Sequence, residues 1–195
     1  DFQAISNSLY TATFTPSVNS TTTGILQVNA ATFSDFAGND NADDTTLSIP
    51  VETTEPFLVF TSSDDNLKAG ETATITITLS EESPDFSQDS LLIQGGELSQ
   101  LQASSATSYS GIFTPSAEST AEGLLSIAIG EFSDLAGNTN SADAEINLTV
   151  ETTVPTISFS SSDDILTAGE KATIRATLSE PIATFSADDL RVSGG

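Results

Sequence analysis

Tandem antiparallel β-sandwich repeats of 99 residues, strung into an elongated all-β array, are the fold class this sequence predicts, and three observations predict it. FSDFAGNDNADDTTLSIPVETTEP, from Phe33 to Pro56, recurs as FSDLAGNTNSADAEINLTVETTVP, from Phe132 to Pro155, a period of 99 residues (132 − 33). Apolar and polar residues alternate with period two, and helical spacing never persists. Short strands with one apolar face each are buried most economically by a second sheet, and about 100 residues suffice for one such core.

The alignment sets the modules. Residues 1–56 match 100–155 without a gap, and 56–96 match 155–195. The chain therefore holds the second part of one repeat (1–54), a complete repeat (55–153) and the first part of a third (154–195). In the complete repeat, Leu58 and Phe60 mark a first strand, followed by Ser-Ser-Asp-Asp and the turn Ala69-Gly70. Ala73, Ile75, Ile77 and Leu79 give the clearest strand, with Thr72, Thr74, Thr76 and Thr78 on its other face, where Thr suits an exposed pleat. Leu91 and Ile93 form a short strand ended by Gly95-Gly96. Leu101 and Ala103 form the next, with Leu98 out of their alternation. Tyr109 and Phe113 carry another, Leu125, Ile127 and Ile129 another, and Ile146, Leu148 and Val150 the last. The recurring aromatics, Tyr10, Phe14 and Phe33 against Tyr109, Phe113 and Phe132, read as core.

Charge narrows the partners. The chain carries 28 acidic residues against four basic ones, a net charge of −24. It repels phosphate backbones and anionic lipid and attracts cations, so no nucleic acid and no direct membrane contact are expected. There is no Cys, His, Met or Trp. The disulfides that staple many small secreted domains are excluded, and so are the usual ligands of zinc and most nucleophilic or general-base chemistry. A hard, oxygen-seeking ion such as calcium loses none of its ligands. No apolar run approaches the roughly 20 residues of a membrane helix, no signal peptide opens the sequence, and the lack of an initiator Met predicts a piece of a longer chain.

SSDDNLKAGETATITITLSE, YSGIFTPSAE, FSDLAGN and VETTVP, in that order, resemble the bacterial immunoglobulin-like repeats of giant, calcium-dependent, type I secreted RTX adhesins. The resemblance covers all three modules. It implies immunoglobulin-like sandwiches forming an extracellular stalk on a Gram-negative cell surface, stiffened by calcium at or near the joints and presenting a distal binding domain. The family's nonapeptide calcium repeats are absent, so this piece reads as stalk.

In an immunoglobulin-like sandwich the loop between the last two strands lies where the chain enters, and the loop between the first two lies where it leaves. This sorts the acids by joint. At the first joint, connector Glu52 is expected to meet Asp134 and Asn138, with Glu55 nearby; at the second, Asp64 and Asp65 are expected to approach Glu151. Asp35, Asp163 and Asp164 are their counterparts in the flanking modules. Each motif has a second reading: Asp-x-Ala-Gly-Asn and Ser-Ser-Asp-Asp are also turn sequences in which Asp accepts backbone hydrogen bonds, and connector Glu is one methylene longer than the Asp commoner in that family. Clustered acids repel without an ion, by roughly 4 kcal/mol for two charges about 4 Å apart at an effective dielectric of about 20. The connector Glu-Thr-Thr-x-Pro is short and biased toward extended backbone.

A structural stalk segment is thus the expected function, with the neighbouring repeats as partners and calcium as ligand. An accessory module of a secreted polysaccharide-degrading enzyme is the alternative, which needs an exposed aromatic row where the sequence offers two Tyr and no Trp. No enzyme activity is expected, since adjacent acids such as Asp64 and Asp65 imply no cleft. The apolar faces of the two incomplete repeats predict head-to-tail association between chains.

Overall fold

Period-two alternation leaves strands as the only way to present one apolar face, and the computed structural model, which describes residues 1–194, has fourteen strands, two short 3-10 turns and no α-helix among them. Gly195, the last residue of the third expected repeat, lies outside the described residues. The first module contributes β1 (Phe2–Ser6), β2 (Leu9–Ala12), β3 (Gly24–Val28) and β4 (Thr45–Ile49). The second has β5 (Leu58–Ser62), β6 (Asn66–Lys68), β7 (Ala73–Leu79), β8 (Leu92–Gln94), β9 (Gly96–Ser105), β10 (Ser108–Pro115), β11 (Gly123–Ile127) and β12 (Ala144–Glu151). The third has β13 (Ile157–Ser161) and β14 (Ile174–Leu178).

The complete module is a sandwich of two four-stranded sheets, ordered β5-β7-β10-β9 and β6-β12-β11-β8. Its core comes from the inward faces of both: Phe60, Ile75, Ile77 and Phe113 from the first sheet, Leu67, Leu125, Ile127 and Leu148 from the second. β7 shows the alternation directly, with Ala73, Ile75, Ile77 and Leu79 buried and Thr74, Thr76 and Thr78 outward or half-exposed. Phe86 closes one end of the core, edge-on to Tyr109 at 4.9 Å and to Phe132 at 5.8 Å between ring centroids, the arrangement aromatic quadrupoles favour.

Three local features depart from simple alternation. Leu98 and Leu101 both turn inward although three residues apart, because β9 carries an extra residue opposite β10 at Gln100, whose φ is +54°. That bulge resets which residues face the core. Ile129, expected to face inward, is 63% exposed, since β11 ends at Ile127 and the chain turns at Gly130 with φ +83°. Ser-Ser-Asp-Asp is not a loop between neighbouring strands of one sheet: it is where the first strand of the sandwich changes sheets, from β5 to the three-residue β6, which runs parallel to β12.

The flanking modules repeat the pieces they contain. β1 pairs with β2 and β3 with β4 as β9 pairs with β10 and β11 with β12; β13 pairs with β14 as β5 pairs with β7. Their inward faces are open. Phe33 is 63% exposed where Phe132 is 1%, and Ile174 is 62% exposed where Ile75 is fully buried.

Candidate functional site

The end of the second module where the chain enters collects carboxylates from three segments. Ser80 ties the end of β7 to the start of β5, its N–H donating to Phe57 O at 2.8 Å and its Oγ accepting from Phe57 N at 3.0 Å, which holds Glu81 beside the incoming chain. Asp134 opens the Asp-x-Ala-Gly-Asn segment of the long β11–β12 loop. Glu52 comes from the connector, where its Oε1 accepts from Thr54 N at 2.7 Å. Carboxylate oxygens of Glu52, Glu81 and Asp134 lie within 4.8 Å of one another. Asn138 reaches across the joint, its Nδ2 donating to Glu52 O at 3.3 Å as well as to Asp134 Oδ2 at 2.7 Å.

The three acids differ electrically. Asp134 is 2% exposed. Burial pushes its pKa up, but hydrogen bonds from the Asn138 side chain and backbone, Gly137 and Ala136 outweigh this and hold it below the ordinary carboxylate value. Glu81 has no such donors. Burial, then the charges of Asp134 and Glu52, raise its pKa. Asp134 is thus held as a carboxylate, whereas Glu81 beside it is not stabilised in its charged form. Oxygens around one calcium ion, each about 2.3–2.6 Å from it, lie within about 5 Å of each other; three carboxylates and a connector carbonyl beside them are a donor set suited to such an ion.

The Asp-x-Ala-Gly-Asn segment is also a self-contained turn. Asn138 N donates to Asp134 Oδ1 at 2.8 Å, and Gly137 takes φ +92°. The first module builds the same turn, with Asn39 N and Nδ2 each 2.8 Å from an Asp35 oxygen, and these bonds, the Asn39 side chain foremost, lower the pKa of Asp35. Asp35 is therefore placed as Asp134 is, but no connector reaches it in this chain.

The acids expected at the second joint are not brought together. β6 pairs with β12 so that Lys68 lies beside Glu151 and Asn66 beside Thr149. Asp64 and Asp65 precede that strand, about 10 Å back along it at roughly 3.3 Å per residue. Asp64 Oδ1 accepts from Asn66 N at 2.9 Å and Asp65 O from Thr149 N at 2.8 Å; Asp163 makes the same turn with Ile165 N at 3.0 Å, with Asp164 exposed beside it. Glu151 Oε1 accepts from Thr153 N at 3.0 Å. Among the described residues, no group of three carboxylates within 4.8 Å includes any of these five. A three-residue strand leaves too little alternation to be read from sequence, which is why the intervening β6 goes unforeseen.

Glu81 is the site residue that the sequence reading omits. Its signal was Thr-Leu-Ser-Glu, which ends the strongest strand at 78–81 and again at 177–180. Ser179 makes the same pair of bonds with Thr156 that Ser80 makes with Phe57, and Glu180 follows it with one carboxylate oxygen buried and lacking a hydrogen-bond partner.

Two facing sheets, antiparallel but for the short β6–β12 pair, a first strand that changes sheets and a connector between repeats define an immunoglobulin-like module of the tandem kind. The family described as bacterial Ig-like domain matches residues 1–51, 52–150 and 151–195, and the chain belongs to it. Those limits fall three residues before the ones expected from the internal alignment. Among solved structures the chain is similar to FdeC, an Escherichia coli adhesin, at 18% identity and a TM-score of 0.36, covering 81% of this chain and 51% of that one. The chain thus spans about half the length of that structure. No curated protein matches it.

Proposed function

We propose that this chain is a stalk segment of a bacterial surface adhesin, in which calcium bound by Glu52, Glu81 and Asp134 fixes one immunoglobulin-like repeat against the next. The observation that carries this reading is the meeting of a connector carboxylate with two carboxylates of the following module at one joint. An ion there offsets the mutual repulsion of the three acids and ties two modules together, so binding at the joint becomes stiffness along the array. Asn138 supports the site by joining Asp134 to the connector carbonyl, and Glu180 with Glu151 supplies the corresponding carboxylates at the next joint. The module is structural and not catalytic. The four-block resemblance to RTX adhesins supports an extracellular location reached by type I secretion, with the acidic chain loosely folded where calcium is scarce and gaining stability outside.

Calcium is expected to raise the melting temperature and to narrow the distribution of end-to-end distances in small-angle scattering, with a dissociation constant of about 10⁻⁴ to 10⁻³ M typical of extracellular modules. Glu81→Gln and Asp134→Asn are expected to abolish both responses. Superimposable melting and scattering curves in calcium and in chelator overturn the calcium part of the reading.

A further inference from the structure

The segment 80–86, between β7 and the first 3-10 turn, carries Glu81 and reaches the β11–β12 loop through a second acid. Its start is pinned by the Ser80–Phe57 bonds that place Glu81, and its end by Phe86, buried edge-on against Phe132. Between them stands Asp85, whose carboxylate takes two bonds from one residue of the loop: Oδ1 accepts from Ser133 N at 2.9 Å and Oδ2 from Ser133 Oγ at 2.6 Å. The Ser83 hydroxyl donates to Asp85 Oδ1 at 2.8 Å and accepts from Phe86 N at 3.1 Å, which fixes the carboxylate on its own segment. These bonds, the Ser133 hydroxyl foremost, hold the Asp85 pKa below the ordinary carboxylate value. Ser133 directly precedes Asp134 and bridges to Thr139, closing the base of the Asp-x-Ala-Gly-Asn turn. Asp85 itself is not one of the three carboxylates that lie within 4.8 Å of one another.

We propose that Asp85 is a positioning residue of the joint, holding Asp134 against Glu81 before calcium arrives, a role that rests on the reading of Glu52, Glu81 and Asp134 as a calcium site. Without an ion, like charges on the loop and on the segment push the two apart. The clamp opposes that separation, so less of the ion's binding energy goes into drawing the loop in. Two bonds to one residue fix its orientation as well as its distance. The clamp also distinguishes repeats. Ninety-nine residues on, the third repeat keeps Ser179, Glu180 and Phe185 but has Ile182 and Thr184 where Ser83 and Asp85 stand. A Thr hydroxyl has a single oxygen and cannot accept the paired bonds that a carboxylate accepts. Repeats that keep the same acid after β7 thereby differ in how firmly they hold the loop.

Isothermal titration of the full chain with calcium alone is expected to show affinity weakened about tenfold by Asp85→Ala. Glu82→Gln removes the same charge from an exposed neighbour on the segment without touching Ser133, and is expected to weaken it by less than about twofold. Ser133→Ala, which keeps the charge and loses the hydroxyl bond, is expected to weaken binding by part of the Asp85→Ala factor. The double variant is expected to be no weaker than Asp85→Ala, because both substitutions remove one contact. In the chain without calcium, hydrogen exchange at the Ser133 and Asn138 amides is expected to quicken in Asp85→Ala and not in Glu82→Gln, whereas a loss of global stability quickens exchange throughout the module. Asp85→Ala binding calcium as tightly as the unsubstituted chain overturns the proposal, and so do unchanged exchange at both amides and equal weakening by Glu82→Gln, which assigns the effect to charge. An unsubstituted chain that binds no calcium overturns the reading of the joint itself, and the role of the clamp with it.

Discussion

Asp134 and Glu81 sit together, yet their surroundings shift their pKa values in opposite directions. Asp134, held as a carboxylate by its hydrogen bonds, contributes stability that is present above the ordinary Asp pKa and is lost as pH falls through its lowered folded value. Glu81, whose folded pKa is raised first by burial and then by its two acidic neighbours, holds its proton more tightly folded than unfolded. Its deprotonation weakens the fold as pH rises from the ordinary Glu value through the raised one, and the penalty is complete above that. Without calcium, stability is therefore expected to be greater on the mildly acidic side than at neutrality and to fall again under stronger acid. Melting temperature measured across pH checks this, with Glu81→Gln expected to flatten the neutral limb and leave the acid limb unchanged.

The β11–β12 loop is the element on which the site depends, and it contains no regular strand between Ile127 and Ala144. Asn140, fully buried, holds it: Oδ1 accepts from Glu131 N at 2.9 Å and Phe132 N at 3.2 Å, and Nδ2 donates to Ala128 O at 2.8 Å and Ala142 O at 3.0 Å. Asn41 makes the equivalent bonds in the first module, to the backbone of Thr32, Phe33, Asn29 and Asp43. Asn140→Ala leaves the N–H of buried Phe132 unpaired, at a cost of about 1–3 kcal/mol, and removes the part-buried bonds to Glu131, Ala128 and Ala142. Urea unfolding is expected to show a loss of about 1–3 kcal/mol on that basis, with Asn140→Asp recovering only the two bonds in which Asn accepts.

Across the molecule, what one module passes to the next is the geometry of its connector. The first Thr of Glu-Thr-Thr-x-Pro is fastened to the module before it. Thr152 is 4% exposed; its N–H donates to Ser119 O at 2.9 Å, its hydroxyl donates to Ser116 O at 2.7 Å and accepts from Ser119 N at 2.9 Å. Thr53 repeats these bonds with Ser17 and Ser20. The Pro that ends the first connector, Pro56, is buried in the following module. Thr53→Val is therefore expected to broaden the end-to-end distribution in small-angle scattering while the core of the second module keeps its amide protection. Thr152→Val strands a backbone donor and is expected to cost about 1–3 kcal/mol, with Thr→Ser near neutral at both positions by denaturant titration.

The class of fold, the period and the strand faces are legible in the residues alone, because alternation on a repeated strand records which side is buried wherever the strand is long enough to alternate. β7 is such a strand. The immunoglobulin-like topology that the family resemblance implies also puts Glu52, Asp134 and Asn138 at one joint, where the structure brings them together. The remainder depends on contacts made in three dimensions. The three-residue β6 separates Asp64 and Asp65 from Glu151, and no alternation can announce so short a strand. Glu81 enters the site through the Ser80–Phe57 hydrogen bonds, contacts between residues far apart in the chain, so the repeated Thr-Leu-Ser-Glu marks the residue without showing what it meets. The bulge at Gln100 is of the same kind: its positive φ follows from pairing with β10, which is why Leu98 looks out of step in the sequence and is fully in place in the core.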